Sequence, residues 1–206
     1  MADESTLIKY WKSRETILEM LTDRGYDVKN MSLTKEKFIE WAGKDDIRTN
    51  KEALAFTAKK EGENTYVAWS DDPKLGTKIT NILIEMEKED AKRAIIAVDL
   101  SVTPNTNGII TSLKVNGVFI NYFTITELQF NVTKHVLVPK HVLCSEKEKL
   151  QVFKSYGIKS KDSLPHISAN EAICKYYGAL KGQLFKIIRD SNTQPGQKAI
   201  SYRYVV

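Results

Sequence analysis

Apolar residues recur at the spacing of an amphipathic helix near the start of the chain. These positions are Leu7, Trp11, Ile17, Leu18 and Leu21. Ser5 or Thr6 is expected to cap this helix, because each offers a side-chain oxygen to the first free N–H groups. Gly25 is expected to end it, since glycine readily adopts the left-handed conformation of a helix terminus.

The pattern then changes from helix to strand. A second helix is expected from Thr34 to Gly43, with Phe38, Ile39 and Trp41 as its apolar residues. Residues 54–60 and 65–70 then predict a hairpin, because two apolar runs flank the polar turn at 61–64. A third helix is expected to begin at Asp72 and Pro73, since a proline in the first turn costs no hydrogen bond.

The run Ala94-Ile95-Ile96-Ala97-Val98 is almost continuously apolar, which is typical of a strand buried on both faces. The elements expected after it are a loop over 103–108, a short helix near 109–115 and strands near 118–124 and 128–132. Residues 1–133 are therefore interpreted as one α/β domain, with a sheet flanked by helices.

A smaller α+β domain is expected over residues 134–206. Ser145 with Glu148, and Ser168 with Glu171, match the capping box that starts a helix. The matching ends are Gly157 and Gly178, and strands are expected over 184–189 and 199–206. A domain of about seventy residues has a marginal core, so a partner surface is expected to support it.

Charge is distributed unevenly between these two parts. Residues 134–206 contain 13 Lys/Arg and 5 Asp/Glu, or +8, and residues 1–133 contain 18 and 21, or −3. A basic module suggests an anionic partner, either nucleic acid or an acidic protein face. The two cysteines cannot build a disulfide framework, and the polar N-terminus lacks a secretory pattern, so an intracellular setting is expected.

Metal binding is weakly indicated. His135, His141, Cys144 and Cys174 offer ligand atoms, but their spacing matches no recognised zinc pattern. We therefore expect packing or capping roles for them, and no cofactor.

Two other interpretations stay open. A magnesium-dependent nuclease is suggested by Asp90-Ala91-Lys92, with Asp71 and Asp72 upstream, while Asp99 is expected to be a turn residue. A stand-alone nucleic-acid-binding protein is suggested by tyrosines interleaved with basic residues near the end of the chain. Strand alternation, however, places Tyr202 and Tyr204 on one face with Ile200, which is typical of a core or an interface.

Specific motifs run through the second domain. They are Leu137-Val138-Pro139-Lys140-His141, Leu164-Pro165 with Ile167, Tyr176-Tyr177-Gly178, Gly182, Lys186-Ile187-Ile188-Arg189 and Ser201-Tyr202-Arg203. In this order they resemble the fifth-largest subunit shared by eukaryotic RNA polymerases, whose C-terminal half corresponds to a separate, shorter protein of archaeal polymerases. The first domain carries weaker matches at Trp11, Arg14, Met20, Asp23-Arg24-Gly25-Tyr26, Asp72-Pro73, Gly76, Lys78 and Thr103-Pro104.

The resemblance implies a noncatalytic subunit of a DNA-directed RNA polymerase. It implies that the first domain is jaw-like and lies near downstream DNA, with a nuclease-like topology but without an active site. It also implies that the second domain docks on the largest subunit. The residues expected to form or shape the docking face are Pro139, Lys140, His141, Tyr177, Gly178, Lys181 and Arg189. The DNA-proximal element is expected at Thr103, Pro104 and Asn105.

The chain departs from the family pattern at three places in the second domain. Leu180 and Lys181 replace a more basic pair, His166 stands where the family has arginine, and the loop at 194–197 looks lengthened. Such divergence suits a polymerase encoded by a large DNA virus. The expected location is therefore the nucleus for a cellular protein, and the host cytoplasm or virion for a viral one.

Overall fold

The chain divides into two compact units, Met1–Phe130 and Asn131–Val206. The computed structural model describes residues 4–44, 51–70, 72, 76–100, 102–191 and 196–206. Among the residues described, no helix combines the length and the apolar character that a membrane span requires.

The first unit alternates helices and strands. Its elements are α1 (Glu4–Asp23), α2 (Lys35–Lys44), β1 (Phe56–Lys60), β2 (Glu63–Ser70), α3 (Gly76–Lys88), β3 (Ala91–Val98), α4 (Pro104–Val115) and β4 (Phe119–Thr124). Short 3-10 turns cover Lys51–Leu54 and Glu127–Gln129.

The strands of this unit form one sheet in the order β1-β2-β3-β4. The hairpin β1-β2 is antiparallel, and β2, β3 and β4 run parallel through the crossover helices α3 and α4. Ile95 and Ile96 of β3 are fully buried on opposite faces, so the prediction of a doubly covered strand is confirmed. The helices α3 and α4 pack on the face that carries Ile96.

The opposite face of this sheet packs against α1. Trp69 of β2 donates its indole N–H to the buried hydroxyl of Ser13, with an N···O distance of 3.1 Å. The first helix is confirmed, but it already includes Ser5 and Thr6, which therefore do not cap it. Gly25 follows its end with a φ of +85°, as predicted.

Residues 103–108 do not form a loop, and this expectation was wrong. Thr103 is the N-cap of α4, and its hydroxyl accepts a hydrogen bond from the Thr106 N–H. Pro104 is the first helical residue, where the missing N–H costs nothing. Thr-Pro-Asn is a turn signal and a helix-start signal alike, and the apolar positions that follow decide for the helix.

The strand expected over 128–132 is also absent, and two 3-10 turns replace it, the second at Val132–Lys134. Asn131 explains the second turn, because its side-chain oxygen accepts a hydrogen bond from the Thr133 N–H at 2.9 Å. This local bond satisfies backbone that a strand would have paired with a neighbour. The expected start of the third helix falls partly on Pro73, which lies outside the described residues.

The second unit is a four-stranded sheet with two short helices. Its elements are β5 (Lys140–Leu143), α5 (Glu146–Ser155), β6 (His166–Ile167), α6 (Ala172–Tyr177), β7 (Leu184–Asp190) and β8 (Lys198–Val205). The strand order is β5-β7-β8-β6. The unit begins at Asn131, three residues before the start at residue 134 expected from the sequence, and the Asn131 amide donates to the Tyr176 hydroxyl at 2.9 Å.

The two predicted capping boxes have different outcomes. At Ser145 the box is confirmed, since the Ser145 N–H donates to Glu148 at 2.7 Å and the Ser145 hydroxyl accepts from the Glu148 N–H. At Ser168 only half of the box forms, since the Ser168 N–H donates to Glu171 at 3.2 Å, and the predicted helix start was wrong, because α6 begins only at Ala172, with Glu171 as the N-cap. The Ser168 hydroxyl instead accepts a hydrogen bond from the Asn170 N–H, so it closes a tight turn before the helix.

Asp99, at the carboxyl end of β3, is linked to α1 by a hydrogen bond and to the 3-10 turn Lys51–Leu54 by an ion pair. Asp99 accepts a hydrogen bond from the Tyr10 hydroxyl at 3.0 Å and pairs with the ammonium group of Lys51. The Lys51 side chain is only 9% exposed. Burial alone lowers the pKa of Lys51, but the hydrogen bonds with Asp99 and Tyr10 outweigh it, and the pKa is raised. Lys51 therefore stays charged and depends on this carboxylate.

We predict that Asp99→Asn destabilises the first unit by about 2 kcal/mol, because it leaves the Lys51 charge without its counter-charge. Urea unfolding followed by tryptophan fluorescence measures the change. Glu61→Gln, at the exposed hairpin turn, is the matched control and should leave the midpoint unchanged. Equal midpoints for the two variants would contradict a stabilising role for the pair.

Candidate functional site

His141 and Tyr177 both pack against the core of the second unit. Their rings lie 5.9 and 5.8 Å from the ring of Phe185, which is completely buried. Strand β5 brings His141 to this position, since it pairs with Ile187, the next residue of β7 on the Phe185 face. Core packing therefore fixes two of the expected docking residues.

The environment of His141 favours its neutral form. Its Nδ1 lies 2.7 Å from the carbonyl oxygen of Pro139, so the neutral ring donates a hydrogen bond from that nitrogen. Burial lowers the pKa of His141. The guanidinium of Arg203 lowers this pKa further, whereas the bond to Pro139 and the carboxylate of Glu171 act in the opposite direction.

Gly178 and Lys181 belong to the loop that leaves α6. Gly178 has a φ of +61° and ends the helix in the left-handed conformation, as the sequence predicted. The loop is held by two hydrogen bonds, from the Ala179 N–H to Cys174 at 2.8 Å and from the Leu180 N–H to Gln183 at 2.7 Å. A fixed loop thus presents Lys181 to solvent.

The remaining cations do not gather on one face. Lys140 and Arg189 are both exposed, but Lys140 pairs with Ile188, so it shares the face of Ile188 and lies opposite Arg189. The structure therefore brings Pro139, His141 and Tyr177 into one region and leaves Lys140 and Arg189 on opposite sides of the sheet.

The sequence analysis missed a surface on this sheet, which we call the outer face. It consists of Lys140 and Val142 from β5, Lys186 and Ile188 from β7, and Ile200 and Tyr202 from β8. Ile200 is 50% exposed. The alternation of Ile200 and Tyr202 already predicted a shared face, but β5 was not foreseen, because four residues are too few to show a period.

Thr103, Pro104 and Asn105 form the amino-terminal end of α4 rather than a loop. Pro104 and Asn105 are exposed. A helix start carries a partial positive charge and unpaired N–H groups, which attract anions. Between Asp99 and Glu127 the chain contains neither Asp nor Glu, so α4 itself carries no carboxylate.

Comparisons with known proteins give the family. The family model described as "RNA polymerase Rpb5, N-terminal domain" matches residues 4–86, and "RNA polymerase Rpb5, C-terminal domain" matches residues 130–205. The chain belongs to the RNA polymerase Rpb5 family. The resemblance seen in the sequence motifs is therefore confirmed.

Three relatives match the chain over nearly its whole length. The Caenorhabditis briggsae protein "DNA-directed RNA polymerases I, II, and III subunit RPABC1" is 32% identical over 99% of both chains. The Dictyostelium discoideum protein of the same description is 32% identical over 94% of this chain and 95% of its own. An Arabidopsis thaliana "DNA-directed RNA polymerase subunit 5-like protein 1" is 30% identical over 100% of this chain and 99% of its own.

The carboxylates that suggested a nuclease are not assembled in this Rpb5-family chain. Asp72 follows the carboxyl end of β2, whereas Asp90 precedes the amino end of β3, and the two strands are parallel. The two aspartates therefore lie at opposite edges of the sheet, separated by roughly 25 Å, the length of an eight-residue strand. Asp71 lies outside the described residues, and Asp99 is already engaged by Tyr10 and Lys51.

The candidate metal ligands are likewise apart. Cys174 packs in the core cluster on the Phe185 face, whereas Cys144 pairs with Leu184 on the opposite face. Burial raises the pKa of the Cys174 thiol to about 11, which is unfavourable for a thiolate ligand. No group of three or more His, Cys, Asp or Glu side chains in the described ranges is arranged to hold a metal ion.

We predict that the second unit loses stability as the pH falls below about 6.5, the ordinary pKa of histidine. Because the folded-state pKa of His141 is lowered, the unfolded chain binds more protons in this window, and the full contribution returns at higher pH. Thermal unfolding between pH 7.5 and 5.5 measures the slope. His141→Gln should flatten it, and exposed His135→Gln should not; an unchanged slope in His141→Gln would contradict the assignment.

Proposed function

We propose that this chain is a noncatalytic subunit of a multisubunit DNA-directed RNA polymerase. The observation that carries the proposal is the match of both units, over nearly the full length, to proteins described as subunits of DNA-directed RNA polymerases. In this proposal the second unit docks on the largest subunit, and the first unit forms part of the lower jaw near downstream DNA. The nuclease-like topology expected of the first unit stays a prediction.

The charge of the second unit supports docking on an acidic protein surface. Residues 134–206 carry a net charge of +8 on a small sheet. Lys140, Lys181 and Arg189 are the exposed cations among the expected docking residues. Because Pro139, His141, Tyr177 and Gly178 are at least partly buried and fix the strand and loop beside these cations, we assign them a shaping role rather than direct contact.

The amino-terminal end of α4 supports an approach of DNA to the first unit. The positive end of the helix dipole and the exposed residue Asn105 suit phosphate oxygens, and α4 itself contains neither Asp nor Glu. Such contacts position a duplex without reading its sequence, so they should weaken with salt. In this proposal Thr103, Pro104 and Asn105 are the DNA-proximal residues.

The absence of an active site of its own is part of the same proposal. The acidic residues that a nuclease would need lie at opposite edges of the first sheet or are engaged by protein donors. The protein is then expected inside cells, in the compartment where its polymerase transcribes, which is the nucleus for a cellular enzyme and the host cytoplasm for a viral one.

Affinity purification of the tagged chain from cells that express its polymerase tests the proposal. Mass spectrometry should identify the largest polymerase subunit among the recovered proteins. The triple variant Lys140→Glu, Lys181→Glu and Arg189→Glu should recover about tenfold less of it, since opposed charges at an interface cost more than about 1 kcal/mol. The control is Lys161→Glu, an exposed charge outside the expected docking residues.

Recovery of the chain alone, without any polymerase subunit, would contradict the proposed function. Equal recovery of the polymerase by the triple variant and by the control would leave the assignment as a polymerase subunit intact. It would contradict the proposal that these three cations lie in the interface. Tyr177→Ala is unsuitable as a docking probe, because the ring also packs against Phe185 in the core.

We predict that a photo-crosslinker at Asn105 captures downstream DNA in a transcribing complex, and that the yield falls between about 50 and 200 mM salt. The matched control is the same crosslinker at Val115, at the other end of α4 and about 15 Å away. Equal yields at the two positions would contradict a specific role for the start of the helix.

A further inference from the structure

The outer face of the second sheet alternates cationic and apolar side chains. Ile188 of β7 lies directly opposite both Lys140 and Ile200, and Lys186 lies directly opposite Val142 and Tyr202. Ile188 and Ile200 are directly opposite one another, about 5 Å apart, and Val142 is a diagonal neighbour of Ile188 at about 7–8 Å, so the three form a diagonal apolar strip. The ammonium groups of Lys140 and Lys186 flank this strip.

Helix α5 covers only one end of this face. Phe153 lies 6.5 Å from the ring of Tyr204, and Tyr156 lies 5.8 Å from the ring of Tyr202. Leu184, beside Tyr204, is consequently fully buried. Towards the other end Ile200 remains 50% exposed and Lys140 is exposed, so an apolar, cationic area extends beyond the helix.

The charge of the outer face is unbalanced. Lys198, at its rim, pairs with Asp190 across the two strands. Neither Lys140 nor Lys186 forms an ion pair among the described residues, although the charge of Lys186 contributes, after two hydrogen bonds from Ser145, to lowering the pKa of Glu148 at the start of α5. An occupant with carboxylates at the spacing of these lysines would complement the face, provided that it also carries apolar groups for the strip.

The side chains of the strip favour a protein, rather than a nucleic acid, as the binding partner of the outer face. Base stacking needs open aromatic ring faces, and the strip itself is built from Val142, Ile188 and Ile200. Tyr202 is the aromatic ring beside it, and Tyr156 already packs against that ring at an interplanar angle of 62°. Aliphatic side chains are better matched by leucine, isoleucine or valine of a partner.

We propose that the outer face binds an acidic segment of another polymerase subunit in which carboxylate and aliphatic side chains alternate. This inference rests on the proposed function and deepens it by naming the surface and the chemistry of the partner segment. The occupant lies across β5, β7 and β8, with its aliphatic side chains on the strip and its carboxylates beside Lys140 and Lys186.

The test places the photo-crosslinking residue p-benzoylphenylalanine at Ile200 of the full chain within the purified polymerase. The matched control carries it at Val115, an apolar residue of the first unit that is 86% exposed. Mass spectrometry of the crosslinked peptides should identify, from Ile200 only, a segment of another polymerase subunit that contains both Asp or Glu and aliphatic residues.

Three outcomes would overturn the inference while the chain still purifies with the polymerase. They are crosslinks from Ile200 to nucleic acid, crosslinks to residues 1–130 of the same chain, and an absence of crosslinks at both positions. Loss of the polymerase itself from the wild-type purification would instead contradict the proposed function, so the two failures can be distinguished.

A charge test complements the crosslink. Lys186→Glu should lower the recovery of the bound polymerase subunit about tenfold at low salt, and less at high salt because exposed charges are screened. Lys147→Glu on α5 is the control, as it changes the same charge at a position outside the outer face. Circular dichroism confirms that both variants fold, and equal recovery by folded Lys186→Glu and Lys147→Glu would overturn the role of the lysine.

Discussion

Phe185 decides which face of the second sheet becomes the core. It is completely buried, and the rings of His141 and Tyr177 both pack against it. The six-residue helix α6 packs on this face together with Cys174 and Ala179. A helix this short can cover only one face, so the other depends on α5 and is left partly open. The surface proposed for docking is thus a consequence of where the core lies.

The sheet of the first unit is covered by helices on both faces, whereas that of the second unit is left partly open on one face. Its central strand β3 is covered on both faces by helices, and parallel neighbours require such crossover connections. The charged side chain of Lys51 is accommodated by Asp99 and Tyr10 at the carboxyl end of that strand. The start of α4, where Pro104 and Asn105 are exposed, is the surface of this unit that we propose for an external contact. The two units therefore offer different surface chemistry, and the proposed roles follow this difference.

Much of the fold could be predicted because its signals are local. The apolar run at Ala94–Val98 predicts a buried strand, and the capping box at Ser145 predicts a helix start, each from only a few residues. Ser168 shows the limit, since the same motif closes a tight turn when the helix starts later. Thr103-Pro104 shows a second limit of local signals, because the same residue types occur in turns and at helix starts. Strands β5 and β6 have four and two residues, so only pairing with distant strands defines them.

The candidate site was predictable only in part, because pairing between distant strands also determines which of its residues share a face. The alternation of Ile200 and Tyr202 reveals one shared face, but Lys186 and Val142 join it only through strand pairing. Residues chosen by resemblance, such as Tyr177 and Gly178, combine core and helix-end roles with any contact they make to a partner. Sequence motifs do not separate these roles, whereas burial and register do.

Both cysteines of the chain lie in the second unit, one on each face of its sheet, and both are buried. Burial raises the pKa of each thiol, that of Cys174 to about 11. Alkylating reagents react with thiolates and both sulfurs are buried, so we expect slow labelling of both while the unit stays closed. The rate of thiol labelling of the intact protein therefore reports the opening of the second unit alone. The two thiols thus serve as residue-specific reporters of the local stability of this unit.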